Sequence, residues 1–319
     1  MDLRLAVYQL AQTHQLDTHQ TRQLHELAGF EQEPARLAYW LPRGVAVLGA
    51  ALLGLGLICW VAANWADFGR SGRFALLQGI VVLACLGAFA APKARSPLLL
   101  IAMLAIGGLF AFFGQTYQTG ADPWQLFAVW AALALPLCLV ARSDVLWTPW
   151  MLIIATGITL WIQAHAHRSW LIDPEDLDLY MAGWAAWLLA CAFVSPLLAR
   201  WTGAGLWPLR LGLMLLMISI VGAAISALFS SAIGMLYWGG LAVLLVAAVV
   251  LQTRRLFDVF GLSAVTLGIN IVLVAGLGSR MVDTRDDPIA GMAFTALTAA
   301  LLLAASVKFI LWRTRQEAP

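Results

Sequence analysis

Long apolar stretches follow one another from Gly44 to Val307, and the charges between them mark where each one ends. The uncharged windows are 44–66, 74–92, 96–121, 123–141, 145–167, 179–199, 211–253, 259–279 and 288–307. Eight of the nine run from 19 to 26 residues. Each is enough for one helix, because a bilayer core takes roughly 20 apolar residues and a central charge costs a few kcal/mol. The ninth, 211–253, has 43 residues and a break at Ser230-Ser231-Ala232-Ile233-Gly234, which predicts a helical hairpin. The windows are apolar all round and lack the 3.6-residue amphipathic period of a soluble helix. The pattern therefore predicts an all-α integral membrane protein of about ten transmembrane helices.

Composition agrees: 62% of the 319 residues are apolar and 11% charged, against about a quarter charged in soluble domains. A net charge of +2 and the absence of a basic tract argue against nucleic acid as a partner. With ten spans both ends lie on one side, and that side collects 14 of the 19 Lys and Arg, from Arg4 to Arg315. The other side holds Arg70, Arg73, Arg168, Arg280 and Arg285, so the positive-inside rule puts both termini in the cytoplasm. No signal peptide is visible ahead of Gly44.

The polar residues 1–43 predict a short cytoplasmic helical appendage, followed by a transmembrane domain over 44–312 and a cytoplasmic tail at 313–319. Leu3, Ala6, Val7 and Leu10 form one stripe at helical spacing. Asp17 is placed to cap a second helix, Gly29 to end it, and Pro34 to start a third segment that ends in Tyr39 and Trp40 at the interface. A docking module and a solvated lead-in are both open readings. His14, His19 and His25, five and six residues apart, share no helical face and predict no metal site. Cys59, Cys85, Cys138 and Cys191 each fall within a span and form no CxxC pair. Small residues four apart (Ala50 and Gly54, Gly107 and Ala111, Ala264 and Gly268) permit close helix crossing, within the chain or between copies.

Candidate chemistry gathers at the outer end of the third span, in Gln115-Thr116-Tyr117-Gln118, before Asp122, Pro123 and Trp124. These four polar side chains point in every direction around a helix end, so at least one must face protein, where a polar group is costly unless paired or wetted. Asn64 and Trp65 end the first span on the same side, and together the two segments could line an outward-facing polar cleft. Ordinary capping competes with that reading, since Asp122 before Pro123 is a good helix start. Within the spans the deepest strong polar group is Asn270, either a ligand contact or glue between helices, with Gln78 next. Pro136 can bend the fourth span. The outer run from His165 to Asp178 reads as a structural turn ahead of a metal site. No nucleotide, zinc-hydrolase or serine-hydrolase motif occurs, so neither an enzyme nor a cofactor is expected.

Ala62-Ala63-Asn64-Trp65 closing a glycine-rich first span, Gly114-Gln115-Thr116-Tyr117, and Trp130 in the fourth span resemble the bacterial membrane-protein family called domain of unknown function 2157. The polar amino-terminal appendage fits that family too, and the resemblance is clearest over residues 1–145. It implies a bacterial inner membrane. It also implies a place in an envelope complex, beside a second polytopic protein and a periplasmic protein named for a GDYxxLxY motif. No activity comes with it. Two functions follow as expectations: a carrier or binding protein for a small neutral or amphipathic molecule with a periplasmic polar cleft, or a non-catalytic subunit of an envelope complex. A membrane enzyme working through an outer loop is the third class.

Overall fold

A computed structural model describes residues 3–28, 35–63, 69–117, 122–166, 176–229, 234–253, 255–284 and 288–317. Among them are thirteen α-helices and no strand. Helices α1 (Leu3–Thr13) and α2 (Thr18–Leu27) make up the appendage. Asp17 precedes the first residue of α2: Gln20 Oε1 accepts its N–H at 3.2 Å, one half of a capping box, and its Oδ1 accepts the N–H of the adjacent Thr18 at 2.6 Å.

The apolar part begins with α3 (Ala35–Ala63), α4 (Arg70–Ala90), α5 (Arg95–Tyr117), α6 (Pro123–Ala141), α7 (Asp144–His165) and α8 (Leu177–Phe193). After the four-residue α9 (Ala199–Thr202) come α10 (Trp207–Leu228), α11 (Met235–Leu251), α12 (Val259–Thr284) and α13 (Pro288–Glu317). Eight of these are long and apolar enough to cross a membrane. The other two, α8 and α11, have 17 residues each, about 25 Å of helix, the short limit of a span. The ten expected apolar helices are present, and the 43-residue window is indeed two of them, α10 and α11. One boundary differs. The third amino-terminal segment does not stop at Tyr39 and Trp40 but runs into the first span as one 29-residue helix through Pro42. Arg36 and Arg43 interrupt the apolar pattern without ending the helix, because a charge near an interface does not break backbone bonds. The carboxyl end behaves alike, α13 continuing to Glu317.

Packing follows chain order. Helix α3 packs on α5, α5 on α7, α7 on α10 and α10 on α12, so alternate helices form a central row. Helices α4, α6, α8, α11 and α13 fill the flanks against their neighbours in sequence. The densest part is the middle, where Trp147, Trp184, Met103, Leu146 and Met151 are wholly buried. Small residues set the close approaches within the chain. Gly107 lies under the indole of Trp130, which donates to the Met103 carbonyl at 3.0 Å and so joins α6 to α5. A Cβ on Gly54 would meet Leu104 at 2.9 Å, and one on Gly268 would meet Met217 at 2.8 Å. All three of these glycines therefore serve internal crossings.

The end of the bundle rich in Lys and Arg is tied by long-range polar bonds. Trp147 Nε1 donates to the Thr202 carbonyl at 2.9 Å, and Arg142 Nη2 to the Arg200 carbonyl at 2.7 Å. Arg313 Nη2 reaches the Gln252 carbonyl at 2.7 Å. Arg210 pairs with Asp258 through two bonds of 3.0 and 2.6 Å, lying between the rings of Trp207 and Phe260. Asp258 also accepts the Gly261 N–H. Burial pushes its carboxyl up, but the bonds from Arg210 and Gly261 and the Arg210 charge outweigh this and hold it below the ordinary range.

Candidate functional site

The expected polar cleft depends on the outer ends of α3, α4 and α5. Asn64, Trp65 and Gln118 lie outside the described residues, and Thr116 and Tyr117 are placed as the last turn of α5. Gln115 is exposed. One turn inward the three helices meet in an apolar cluster of Val61, Leu77 and Phe112, with Phe74 against Phe112 at a ring separation of 4.5 Å. Among the described residues, the surface one turn inward from these ends is therefore apolar. Asp122 holds the N-cap position of α6 with Pro123 following, and its side chain makes no capping bond.

Asn270 is buried in the contact between α12 and α13. Its Nδ2 donates to Ser306 Oγ at 2.9 Å, and Ser306 returns a bond to Asn270 Oδ1 at 3.3 Å. Both ends of the carboxamide are engaged, which places Asn270 with helix packing and apart from the outer residues. Gln78 faces outward from α4.

Of the candidate residues, Trp124 lines a cavity. A cleft of about 390 Å³ has α7 as its floor, α6 as one wall and α8 as the other. Phe127 and Ala128 of α6, Ile154, Gly157 and Ile158 of α7, and Ala182, Ala186 and Ala190 of α8 line its apolar length. The alanines recur every four residues, so one face of α8 is a shallow strip that leaves room beside α6. Ala128, Ala182 and Ala186 are exposed, so the cleft opens sideways between helices.

The end of the cleft at Trp124 and Trp161 is aromatic, with an imidazole beside it. Trp124 and Trp161 flank His165, with ring centres 6.1 and 5.4 Å from the imidazole. His165 Nδ1 lies 2.8 Å from the Trp161 carbonyl, to which it donates. Trp124 Nε1 is buried without a hydrogen-bond partner among the described residues. Trp187, deep in the core on α8, has the same property. A buried donor without an acceptor costs roughly 1–3 kcal/mol, which a ligand oxygen would recover. The arrangement can take an apolar body along α8 and one acceptor group at Trp124. Sequence reasoning named Trp124 but missed the cleft; its signal was the run Ala182, Ala186, Ala190 opposite Gly157, four-residue spacing again.

No curated protein and no solved structure matches the chain. Residues 8–147, from α1 to the start of α7, match the family described as "Predicted membrane protein (DUF2157)". The likeness carried by Asn64-Trp65, Gly114-Gln115-Thr116-Tyr117 and Trp130 thus holds over that stretch, and the amino-terminal part of this chain is similar to the DUF2157 family of predicted membrane proteins.

Proposed function

We propose that this multi-pass membrane protein is a binding or carrier protein for a small amphipathic molecule, non-enzymatic, in a bacterial inner membrane with both termini cytoplasmic. The observation that carries the reading is the laterally open apolar cleft of α6, α7 and α8, with the indole N–H of Trp124, which has no hydrogen-bond partner among the described residues, at one end. A ligand reaching it from the lipid needs no aqueous path, and the lack of Asp, Glu, Lys or Arg deep in the apolar windows fits a neutral cargo better than an ion-coupled one.

The test uses a long-chain alcohol bearing a diazirine, photolysed with the purified protein, and peptide mapping of the adducts. Adducts should concentrate on α6, α7 and α8, and Ala186→Phe, which fills the cleft, should remove them. Trp124→Phe should weaken labelling severalfold without lowering the melting temperature, because its indole N–H has no hydrogen-bond partner among the described residues. Labelling spread evenly over lipid-facing helices such as α4 and α13 would overturn the reading. The second reading, a subunit of an envelope complex with a second polytopic protein and a periplasmic partner, is favoured by the 63% and 49% exposure of Tyr8 and Leu10 on α1. Co-purification lost on deleting residues 2–33 would support it.

A further inference from the structure

A second cavity, unrelated to the α6–α8 cleft, lies at the Lys- and Arg-rich end between α3, α5 and the start of α7, with a volume of about 610 Å³. Its mouth carries Arg43 from α3, Lys93 from the 3-10 turn Pro92–Ala94, Ser96 from the first turn of α5, and Ser143, the N-cap of α7. Four chain segments thus bring two cations and two hydroxyls to one opening. Inward the walls turn apolar, with Val47, Ala51 and Pro97. No Asp or Glu occurs in residues 35–63 or 91–117. The carboxylate nearest in sequence, Asp144, is engaged by the Gly205 N–H. A positive, hydroxyl-bearing mouth over an apolar trough, at the depth where Trp40 marks the interface, complements one molecule: a lipid whose phosphate is anionic and whose chain is not.

We propose that this groove is a binding site for an anionic phospholipid, with its phosphate held by Arg43 and Lys93 and an acyl chain lying along Val47 and Ala51. Ser96 and Ser143 supply neutral donors to the same headgroup; the Ser143 oxygen already accepts the Val145 N–H, which leaves its own hydrogen free. The binding rests on the groove and not on the general positive charge of this face, so cations elsewhere on it do not contribute.

Native mass spectrometry of the full-length protein, exchanged into detergent with equal phosphatidylglycerol and phosphatidylcholine, tests this. The wild-type protein should retain phosphatidylglycerol about tenfold or more over phosphatidylcholine, since each cation near a membrane surface contributes roughly a fivefold preference. Arg43→Gln with Lys93→Gln should abolish the preference, whereas Arg200→Gln with Lys308→Gln, the same charge removed elsewhere on that face, should keep it. Gly44→Leu offers a variant that should fold, because a Cβ there meets nothing within 4 Å. Gly44 also lines the groove, so the leucine should block the chain and lower retention as far as the double variant. Equal retention of both lipids by the wild type would overturn the proposal. So would equal loss in the two double variants, full retention by Gly44→Leu, or displacement of the lipid by inorganic phosphate.

Discussion

Asn270 and Ser306 exchange two hydrogen bonds across the contact between α12 and α13, 36 residues apart in the chain. No residue in the most apolar stretch of α13 is fully buried, and this exchange is a polar tie between that helix and α12. Interhelical hydrogen bonds in membranes contribute about 0.6 kcal/mol on average and up to about 1.7. Asn270→Leu should lower stability within that range, and Ser306→Ala in the same background should cost little more. A full additional loss on adding Ser306→Ala, measured by a double-mutant cycle in detergent denaturation, would show that the two side chains act separately.

Gly107 has no room for even a methyl group, because the Trp130 indole occupies the place of its Cβ. Gly107→Ala should displace Trp130, break its bond to Met103 and cost roughly 1–3 kcal/mol. Gly49→Ala, on the open face of α3, should be neutral or slightly stabilising, since nothing lies within 4 Å of its Cβ. Melting temperatures of the two variants should move apart; similar shifts would mean that the α5–α6 contact tolerates rearrangement.

The Arg210–Asp258 pair makes stability depend on pH in one direction. Asp258 has a carboxyl held below its ordinary value in the folded protein, so its contribution is complete at neutral pH and disappears as pH falls from about 4 through the lowered value. Asp258→Asn should cost roughly 1–3 kcal/mol at pH 7, where Arg210 loses its charged partner. The same variant should lose less stability than wild type on acidification, because it has no such proton to take up. Parallel pH profiles of the denaturation midpoint would remove the pair from the account.

Topology reporters check the orientation inferred from charge. Fusions after Arg95, Arg210 and Arg255 should report the cytoplasm, and fusions within 115–123 and 168–178 the periplasm. A cytoplasmic signal from 168–178 would overturn the ten-span count, because α7 would then not separate that segment from Arg142, and a periplasmic signal after Arg210 would mean that the 17-residue α8 does not cross.

The spans were legible because lipid allows few signals: charge ends a window, and Ser230-Ser231 in an otherwise apolar run ends a helix. The small pairs at Gly54, Gly107 and Gly268 were legible as close contacts for the same reason, though not which helices they would meet. Helix ends at the interface were not, since Arg36 and Arg43 look alike whether the helix stops or continues past them. The site was read only in part. Trp124 stood out as an interfacial aromatic, but the cleft beside it exists because α8 presents Ala182, Ala186 and Ala190 to the space between α6 and α7, a fact of tertiary facing that spacing alone does not settle. Asn270 was visible as costly and buried, while its partner was hidden 36 positions away.

The row formed by α3, α5, α7, α10 and α12 bears on how such a chain is made. From α5 onward each apolar helix touches another that comes one or two places before it among the apolar helices, so each of these segments enters the membrane beside a neighbour already there. Loop-closure entropy stays small at each addition, and assembly can keep pace with translation, without a long-range contact that must wait for the carboxyl end. The order of the helices across the plane of the bilayer is then a record of the order in which the ribosome delivered them.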